Sequence, residues 1–362
     1  MSPIETQHRL DLLEEKVRNL SDDRALALVQ QLRALDSRDG LTAEEFNRYM
    51  TQLERHIHSD LSRLSKEDRA LVRELFAISA RVVKGMRPAT VRRAVKRLVL
   101  GKIPETVDDF GRDQEFIDRL RPLTEFLFHT YWRIDVEGIE NIPSTGPCLL
   151  VSNHSGILPF DAWMLQFAVE EYHPAGRPLR FLVEEWLTSL PFFSHNLTRM
   201  GQVRGSQQNA EQLLRRGELV GVFPEGVKGT GKPYSQRYHL QRFGRGGLVR
   251  LGMKTQAPIV PVAVVGAEET YPILFTSGLL ANALRAPYFP FTPFFPWLGP
   301  LGAVPLPSKW QIRVGENVAL GDFSPGSWED DILVNTLNED VRQKIQSMLT
   351  DLVQHRRSLF FG

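Results

Sequence analysis

The chain has 362 residues, of which 42% are hydrophobic and 24% are charged, a composition typical of a globular protein with about two domains. Its 44 basic and 43 acidic residues nearly cancel, so the overall charge favours no particular partner. No motif that combines stacking and basic residues recurs, so we do not predict a nucleic-acid partner. The single cysteine, Cys148, excludes an internal disulfide framework and a cysteine-rich zinc site.

Residues 1–125 are predicted to form a mostly helical N-terminal region, because apolar residues recur there at helical spacing. The start of the chain lacks the basic residues and apolar run of a signal peptide, so we expect a cytoplasmic protein. Residues 81–102 carry eight basic side chains and no acidic one. A basic amphipathic helix of this kind can lie on an anionic membrane surface, and the alternative is a solvated helix that packs on the next domain.

Residues 126–325 alternate short apolar runs with helical patterns. This alternation predicts an α/β domain with a mixed, largely parallel sheet flanked by helices. Residues 326–362 are predicted to add a C-terminal helix, beginning at Ser327, that packs on this domain. The predicted strands are 147–152, 180–183, 219–223 and 259–265, and the predicted helices between them are 161–171, 206–216 and 246–254.

The longest uncharged stretch, residues 286–308, contains seven prolines among 23 residues. A lipid-exposed helix with this many prolines would leave backbone groups unsatisfied, so we exclude a transmembrane helix here. The wider segment 271–306 is rich in aromatic residues. It is interpreted either as an apolar lip at a membrane or acyl chain, or as a folded loop with buried aromatic side chains.

A histidine and an aspartate follow the first predicted strand. His154 stands where that strand should end, and Asp161 begins the next helix seven positions later. Gly156 and Pro159 between them predict a turn that can bring the carboxylate to the imidazole. A carboxylate on one ring nitrogen fixes the tautomer and leaves the other nitrogen to take a proton from a hydroxyl. The alternative is a helix-capping aspartate and an unrelated loop histidine.

A second motif, Phe-Pro-Glu-Gly at 223–226, follows a later predicted strand. Together the two motifs resemble the glycerolipid acyltransferase superfamily, which includes glycerol-3-phosphate, lysophosphatidic acid and lysophospholipid acyltransferases. The segments 199–204 and 258–262 resemble two further sequence blocks of the superfamily, in the same order. The resemblance spans about residues 126–320.

The resemblance implies an acyltransferase of phospholipid biosynthesis, with an acyl-CoA or an acyl carrier protein thioester as donor and a glycerolipid or lysophospholipid hydroxyl as acceptor. His154 would be the general base and Asp161 would orient it. No metal ion or cofactor is implied. The protein would be membrane-associated, as a peripheral protein on the inner face of a membrane.

The resemblance also implies a substrate-binding set. Glu225 would help to shape the acceptor site, and backbone groups near Gly226 would stabilise the oxyanion. Arg204 and Lys228 are the candidates for contact with an acceptor phosphate.

The sequence departs from the superfamily in three places, one of which is that the block 199–204 lacks the common aromatic-isoleucine-aspartate lead-in to Arg204. Six residues separate His154 from Asp161, where the superfamily usually has four, and Lys228 replaces the more usual arginine or serine-type continuation. A catalytically silent lipid-binding protein on the same scaffold is therefore the alternative function. Hydrolysis, with water in place of the alcohol, is a weaker third possibility.

The Phe-Pro-Glu-Gly motif leads into a near match to a nucleotide-binding P-loop, which runs from Gly226 to Lys232. Pro233 stands where the P-loop needs a serine or threonine hydroxyl for magnesium, and it also lacks an N–H group. We therefore do not predict nucleotide hydrolysis.

Overall fold

The computed structural model describes residues 107–188, 191–278, 281, 286–295, 302, 304–320, 323–324 and 326–359. The predicted N-terminal helices before residue 107, including the basic segment 81–102, lie outside the described residues. The chain divides into two compact units. The α/β unit is formed by the described residues of Leu98–Lys232, Gln236–Thr270 and Pro307–Gly362, and those of Pro233–Ser235 and Tyr271–Leu306 belong to the other unit.

The regular elements are numbered here along the described chain. The strands are β1 Asp135–Glu137, β2 Cys148–Ser152, β3 Leu179–Val183, β4 Val203–Arg204, β5 Leu219–Val222, β6 Ile259–Val265, β7 Phe275–Thr276, β8 Pro290–Phe291 and β9 Gln311–Val314. The α-helices are α1 Gln114–Glu125, α2 Phe160–Tyr172, α3 Glu185–Thr188, α4 Pro191–Arg199, α5 Gln207–Arg215, α6 Val227–Thr230, α7 Gly247–Thr255 and α8 Asp331–His355. A π-helix spans Phe126–Tyr131, and 3₁₀-helices span Ile139–Asn141, Tyr234–Gln236, Ala267–Glu269 and Ser327–Glu329.

Seven strands of the α/β unit form one sheet in the order β1-β9-β6-β2-β5-β3-β4. The described pairs are parallel except for β6 with β9. The expected mixed, largely parallel sheet with flanking helices is therefore confirmed. The sequence analysis did not predict β1, β4 and β9, which have two to four residues and are partly exposed, because such short strands carry too little apolar pattern.

The central strands are buried on both faces, which is why they read as continuous apolar runs. In β2, Leu149 and Val151 face a core that also contains apolar residues of α5, α7 and α8. Cys148 and Leu150 point to the opposite core, which contains apolar residues of α2 and the π-helix. Burial of each such leucine or valine contributes about 1.5–3 kcal/mol, so these residues stabilise the strand from which the next loop leaves.

The C-terminal helix α8 begins at Asp331, four residues later than predicted from the sequence. The preceding residues Ser327–Glu329 form a 3₁₀-helix. Asp330 caps α8, because its carboxylate accepts hydrogen bonds from the N–H groups of Ile332 and Leu333. The start of the helix is thus set by its cap rather than by the first acidic residues.

In the second unit, β7 and β8 form an antiparallel pair. Phe275 and Phe291 stack with ring centroids 4.3 Å apart, and Phe289 and Phe291 are buried in the same small cluster. For the described part of the segment 271–306, these aromatic side chains agree with the folded-loop interpretation rather than with an exposed lip. Within the described parts of the chain, no helix combines the length and the apolar character needed to cross a bilayer.

Candidate active site

Three neighbouring parallel strands bring distant residues to one edge of the sheet. The order β6-β2-β5 places their carboxyl ends side by side. His154 follows β2, Glu225 follows β5 and Glu268 follows β6. In α/β proteins the reactive side chains usually follow the carboxyl ends of parallel strands.

Asn153 fixes the point at which the chain leaves β2. Its side-chain amide is buried, donates to the carbonyl oxygen of Val264 at 2.9 Å and accepts from the N–H of Val264 at 2.8 Å. This pair of bonds replaces the backbone ladder between β2 and β6 for one residue. The position of the next residue, His154, is therefore tied to the sheet.

The imidazole of His154 is held by Asp161. Nδ1 of His154 lies 2.7 Å from Oδ2 of Asp161, and the same oxygen accepts from the N–H of Ser155 at 2.9 Å. The other carboxylate oxygen accepts from the N–H of Ala162 at 2.8 Å. The Asp161 side chain is fully buried, whereas the His154 side chain is 19% exposed. Because an ionised carboxylate only accepts, the proton is assigned to Nδ1, and Nε2 is left as the basic nitrogen.

The longer loop does not separate the two residues. Gly156 has a φ of 84°, a left-handed conformation that favours glycine, and Pro159 precedes the first residue of α2. The turn between them returns Asp161 to the end of β2. The six intervening residues therefore still allow the carboxylate to reach the imidazole.

The ring plane of His154 is set by an aromatic stack. Phe223 lies parallel to the imidazole, with ring centroids 4.1 Å apart and an angle of 8° between the planes. Phe223 in turn stacks on Phe181, at 4.8 Å and 8°. Phe223 is the first residue of the Phe-Pro-Glu-Gly motif, but its contact with His154 was not predicted from the sequence.

Glu225 holds the backbone of the same histidine. Its buried carboxylate accepts from the N–H of His154 at 3.0 Å through Oε1 and from the N–H of Gln241 at 2.7 Å through Oε2. The carboxylate is therefore turned toward protein backbone. Its influence on an acceptor site would act through the position of His154.

The turn after Glu225 depends on two glycines. Gly226 has a φ of 55°, and a Cβ atom there would lie 2.6 Å from a carboxylate oxygen of Glu184. Gly229 packs so closely that a Cβ atom would lie 2.9 Å from Cβ of Glu225 and 3.0 Å from Cβ of His154. The N–H of Gly226 donates to the carbonyl of Phe223 at 3.0 Å.

The two predicted phosphate ligands lie near this edge in different ways. Arg204 ends β4, two strands from β5, and is exposed. Lys228 lies in α6, three residues after Glu225, and is exposed as well. Direct hydrogen bonds thus join His154, Asp161 and Glu225, while Arg204 and Lys228 belong to the surroundings of that set.

A family model described as Acyltransferase matches residues 133–265, which include His154, Asp161 and Glu225. Over 258 residues the chain is 47% identical to the uncharacterised protein ML2427 of Mycobacterium leprae, covering 71% of this chain and 70% of that protein. The chain belongs to the acyltransferase family. The predicted resemblance to acyltransferases is therefore confirmed, and it identifies the protein as an enzyme.

This acyltransferase has more distant relatives with named activities. It is 25% identical over 159 residues to the 1-acyl-sn-glycerol-3-phosphate acyltransferase of Borreliella burgdorferi, covering 41% of this chain and 58% of that enzyme. The crystal structure of the lysophosphatidic acid acyltransferase PlsC from Thermotoga maritima aligns with a TM-score of 0.44. That alignment has 20% identity and covers 68% of this chain and 85% of that one.

A buried lysine joins two carboxylates at the same edge of the acyltransferase sheet. Nζ of Lys232 lies 3.0 Å from Oε1 of Glu268 and 3.6 Å from Oε2 of Glu225. Burial disfavours the charge of Lys232, but the two carboxylates outweigh it and raise the pKa of the lysine. Burial raises the pKa of Glu268 to about 7, against the opposing effect of Lys232.

These buried groups were not predicted as site residues. Lys232 was noticed only as the lysine of the false P-loop, and no motif contains Glu268. Lys232 and Glu268 are far apart in the chain and no sequence pattern links them, so their contact could not be predicted from the sequence. Among the residues that the structure describes, no group of three or more His, Cys, Asp or Glu side chains is arranged to hold a metal ion.

Proposed function

We propose that the protein transfers a fatty acyl group from an acyl-CoA or acyl carrier protein thioester to a hydroxyl of a glycerolipid or lysophospholipid. The observation that carries this proposal is the 2.7 Å contact between Nδ1 of His154 and the buried carboxylate of Asp161. It leaves Nε2 free for a substrate hydroxyl at the edge of the sheet where α/β enzymes react. The similarity to the 1-acyl-sn-glycerol-3-phosphate acyltransferase of Borreliella burgdorferi supports a glycerolipid acceptor.

The first step is nucleophilic attack by the acceptor alcohol. Nε2 of His154 takes the hydroxyl proton as the oxygen forms a bond to the thioester carbonyl carbon. The imidazole becomes an imidazolium, and the Asp161 carboxylate on Nδ1 stabilises that charge. General base catalysis of this kind contributes about 10²–10⁴ in rate.

The second step expels the thiol. The tetrahedral oxyanion re-forms its carbonyl, the carbon–sulfur bond breaks, and Nε2 of the imidazolium returns its proton to the leaving sulfur. The products are an ester and a free thiol, and His154 is regenerated. Protons and electrons balance between alcohol and thioester, so the scheme requires no metal ion or resident cofactor.

The proposal assigns the acceptor phosphate, where the acceptor has one, to Arg204 and Lys228. Both are cationic side chains next to the edge that carries His154. Arginine can bind a phosphate through two parallel hydrogen bonds, whereas lysine acts as a point charge. Arg204 would then orient the acceptor, and Lys228 would mainly supply attraction.

The donors for the oxyanion are part of the proposal as well. The turn after Glu225 was expected to provide them. The N–H of Gly226 donates to Phe223 at 3.0 Å and that of Val227 donates to Glu184 at 3.1 Å. Either group would have to exchange its protein partner for the oxyanion, so a shift of this turn on substrate binding belongs to the scheme.

The proposal places the enzyme in the cytoplasm, on the inner face of a membrane. Its acceptor and its acyl chain are lipids, and the basic segment 81–102, outside the described residues, has the charge to bind anionic lipid. Co-sedimentation with anionic liposomes tests this. Absence of binding at low salt would contradict it.

The decisive experiment measures acyl transfer by the purified protein with its His154→Ala variant. A labelled acyl-CoA or acyl carrier protein is offered with a panel of lysolipid and glycerol acceptors, and the products are identified by mass spectrometry. We expect esterified product with the wild type and a loss of about 10²–10⁴ in rate with the variant. His355→Gln is the matched control, because His355 also contacts an aspartate, Asp351 at 3.2 Å, but on an exposed helix end.

The same experiment separates the alternatives. Equal product from the wild type and His154→Ala would reject the mechanism. Lipid binding without turnover by any acceptor would favour the catalytically silent lipid-binding protein. Free fatty acid as the main product would indicate hydrolysis, with water in place of the alcohol.

A further inference from the structure

The charged residues behind the proposed base are arranged symmetrically across three strands. Glu268, His154 and Glu225 follow β6, β2 and β5, which are neighbours in that order. Lys232 contacts both outer carboxylates, one on either side of the strand that carries the histidine. The side chain of Lys232 is only 2% exposed.

The two hydrogen bonds that Glu225 accepts depend on its negative charge. Both of its oxygens accept backbone N–H groups, from His154 and from Gln241. A protonated carboxyl would turn one of these acceptors into a donor and lose a bond. Burying a negative charge is costly unless opposite charge or hydrogen-bond donors compensate it, and the ammonium of Lys232 lies 3.6 Å from Oε2 of Glu225.

Lys232 is itself held in place. Its ammonium donates to Oε1 of Glu268 at 3.0 Å and to the carbonyl of His239 at 3.4 Å. Oε1 of Glu268 also accepts from the N–H of Tyr238 at 3.2 Å. Lys232, which occupies the lysine position of the P-loop-like segment, therefore binds protein groups and is too deeply buried to bind a nucleotide phosphate.

We propose that Lys232 and Glu268 are positioning residues for His154. Lys232 compensates the buried negative charge of Glu225, Glu225 holds the backbone N–H of His154, and Glu268 orients the ammonium of Lys232. This inference rests on the proposed function, since it says how the proposed base is kept in place. Asp161 aims the ring, and the buried charges locate the residue that carries it.

The test replaces Lys232 by methionine in the full-length protein, which keeps a stem of similar length and removes the charge. We expect Lys232→Met to lower kcat about 10- to 100-fold, with less than about a threefold change in the KM of the acceptor. Lys344→Met is the matched control, because Lys344 lies on the exposed face of α8. Its kcat should equal that of the wild type.

A second readout does not depend on acyl transfer. Diethyl pyrocarbonate modifies histidine rings, and peptide mass spectrometry follows each site separately. We expect the modification rate of His154 to change about threefold or more in Lys232→Met, because ring position and basicity set that rate. The exposed His355 serves as the internal reference and should react at the same rate in both proteins.

A double variant keeps the inference testable even if Lys232→Met does not fold. In a Glu225→Gln background the charge to be neutralised is absent, so adding Lys232→Met should lower kcat by less than about threefold. Glu268→Gln alone should lower kcat about fivefold with the same small change in KM, since it removes the partner that orients the ammonium.

Each result decides the inference. A folded Lys232→Met variant with wild-type kcat and wild-type His154 reactivity would overturn it. So would a large additional loss of kcat when Lys232→Met is added to Glu225→Gln. A wild-type protein that acylates no acceptor would reject the proposed function, and the His154 modification rates would still decide the positioning.

Discussion

Two segments hold the same histidine, the β2–α2 loop from Asn153 to Asp161 and the turn from Phe223 to Lys232. The first supplies a carboxylate that binds the imidazole, seven residues from His154. The second supplies a carboxylate that binds the backbone N–H of His154, 71 residues away. The first thus controls the chemistry of the ring, and the second controls where the ring stands.

The two carboxylates also differ in how their charge is compensated. Asp161 is surrounded by hydrogen-bond donors, from His154, Ser155 and Ala162. Glu225 has two backbone donors and the buried ammonium of Lys232. Changing one carboxylate at a time should therefore separate proton transfer from positioning.

The largest effect is expected from the ring-binding carboxylate. In Asp161→Asn an amide NH₂ must face at least one of three donors, and in either orientation the neutral amide cannot stabilise the imidazolium as the carboxylate does. We expect kcat to fall about 10²- to 10⁴-fold, measured as acyl transfer at saturating substrates. Asp351→Asn, which changes an exposed aspartate that also contacts a histidine, is the control. Similar losses in both variants would contradict a special role for Asp161.

A smaller loss of rate is expected from the backbone-binding carboxylate. Glu225→Gln places an amide NH₂ against one of two backbone N–H groups, while the contact of Asp161 with the ring is retained. We expect kcat to fall about 10- to 100-fold and the free energy of unfolding to fall by about 1–3 kcal/mol. Glu211→Gln, at a more exposed ion pair on α5, provides the baseline. Unchanged stability together with unchanged kcat would show that the backbone contact is dispensable.

Gly229→Ala should push the two segments apart without removing any charge. The new methyl group would lie 2.9 Å from Cβ of Glu225 and 3.0 Å from Cβ of His154, so at least one of them must move. We expect about a tenfold loss of kcat, since small displacements of a catalytic group are costly. Gly247→Ala is the matched control, because nothing lies within 4 Å of a Cβ atom at that position. Equal kcat in Gly229→Ala and Gly247→Ala would disprove this close packing.

The smallest effect is a pH dependence of stability at Glu268. Its pKa is raised from 4.5 to about 7, so between these values the folded protein binds a proton that the unfolded chain has released. The contribution of Glu268 to stability therefore falls as the pH rises through this window. Between about pH 5 and about pH 8, urea unfolding should show that the free energy of unfolding of the wild type falls relative to that of Glu268→Gln. A constant difference would mean that Glu268 titrates alike in both states.

Much of the sheet was predictable because its central strands are buried on both sides. Continuous apolar runs located β2, β3, β5 and β6 to within a residue or two. The strands β4 and β1 escaped because two or three residues cannot form a pattern. Likewise the cap at Asp330, and not the acidic composition of the region, decided where α8 begins.

The site divided in the same way. His154 and Asp161 could be paired from the sequence because a short turn after a buried strand leaves few places for them to go. Glu225 was predicted from its motif, but its hydrogen bond to the N–H of His154 was not, because almost any residue type offers the same backbone N–H. Lys232 and Glu268 are 36 residues apart and meet only because β5 and β6 flank β2.

The amino-acid sequence by itself determined the class of fold, the family of the protein, the histidine proposed to move the proton and the aspartate proposed to orient it. These follow from local patterns, since apolar runs and short turns act over a few residues. Only the tertiary structure decided that Glu225 holds the backbone of His154 and that Lys232 and Glu268 stand behind it. Contacts of this kind depend on the order of strands across the sheet, which brings together residues far apart in the chain.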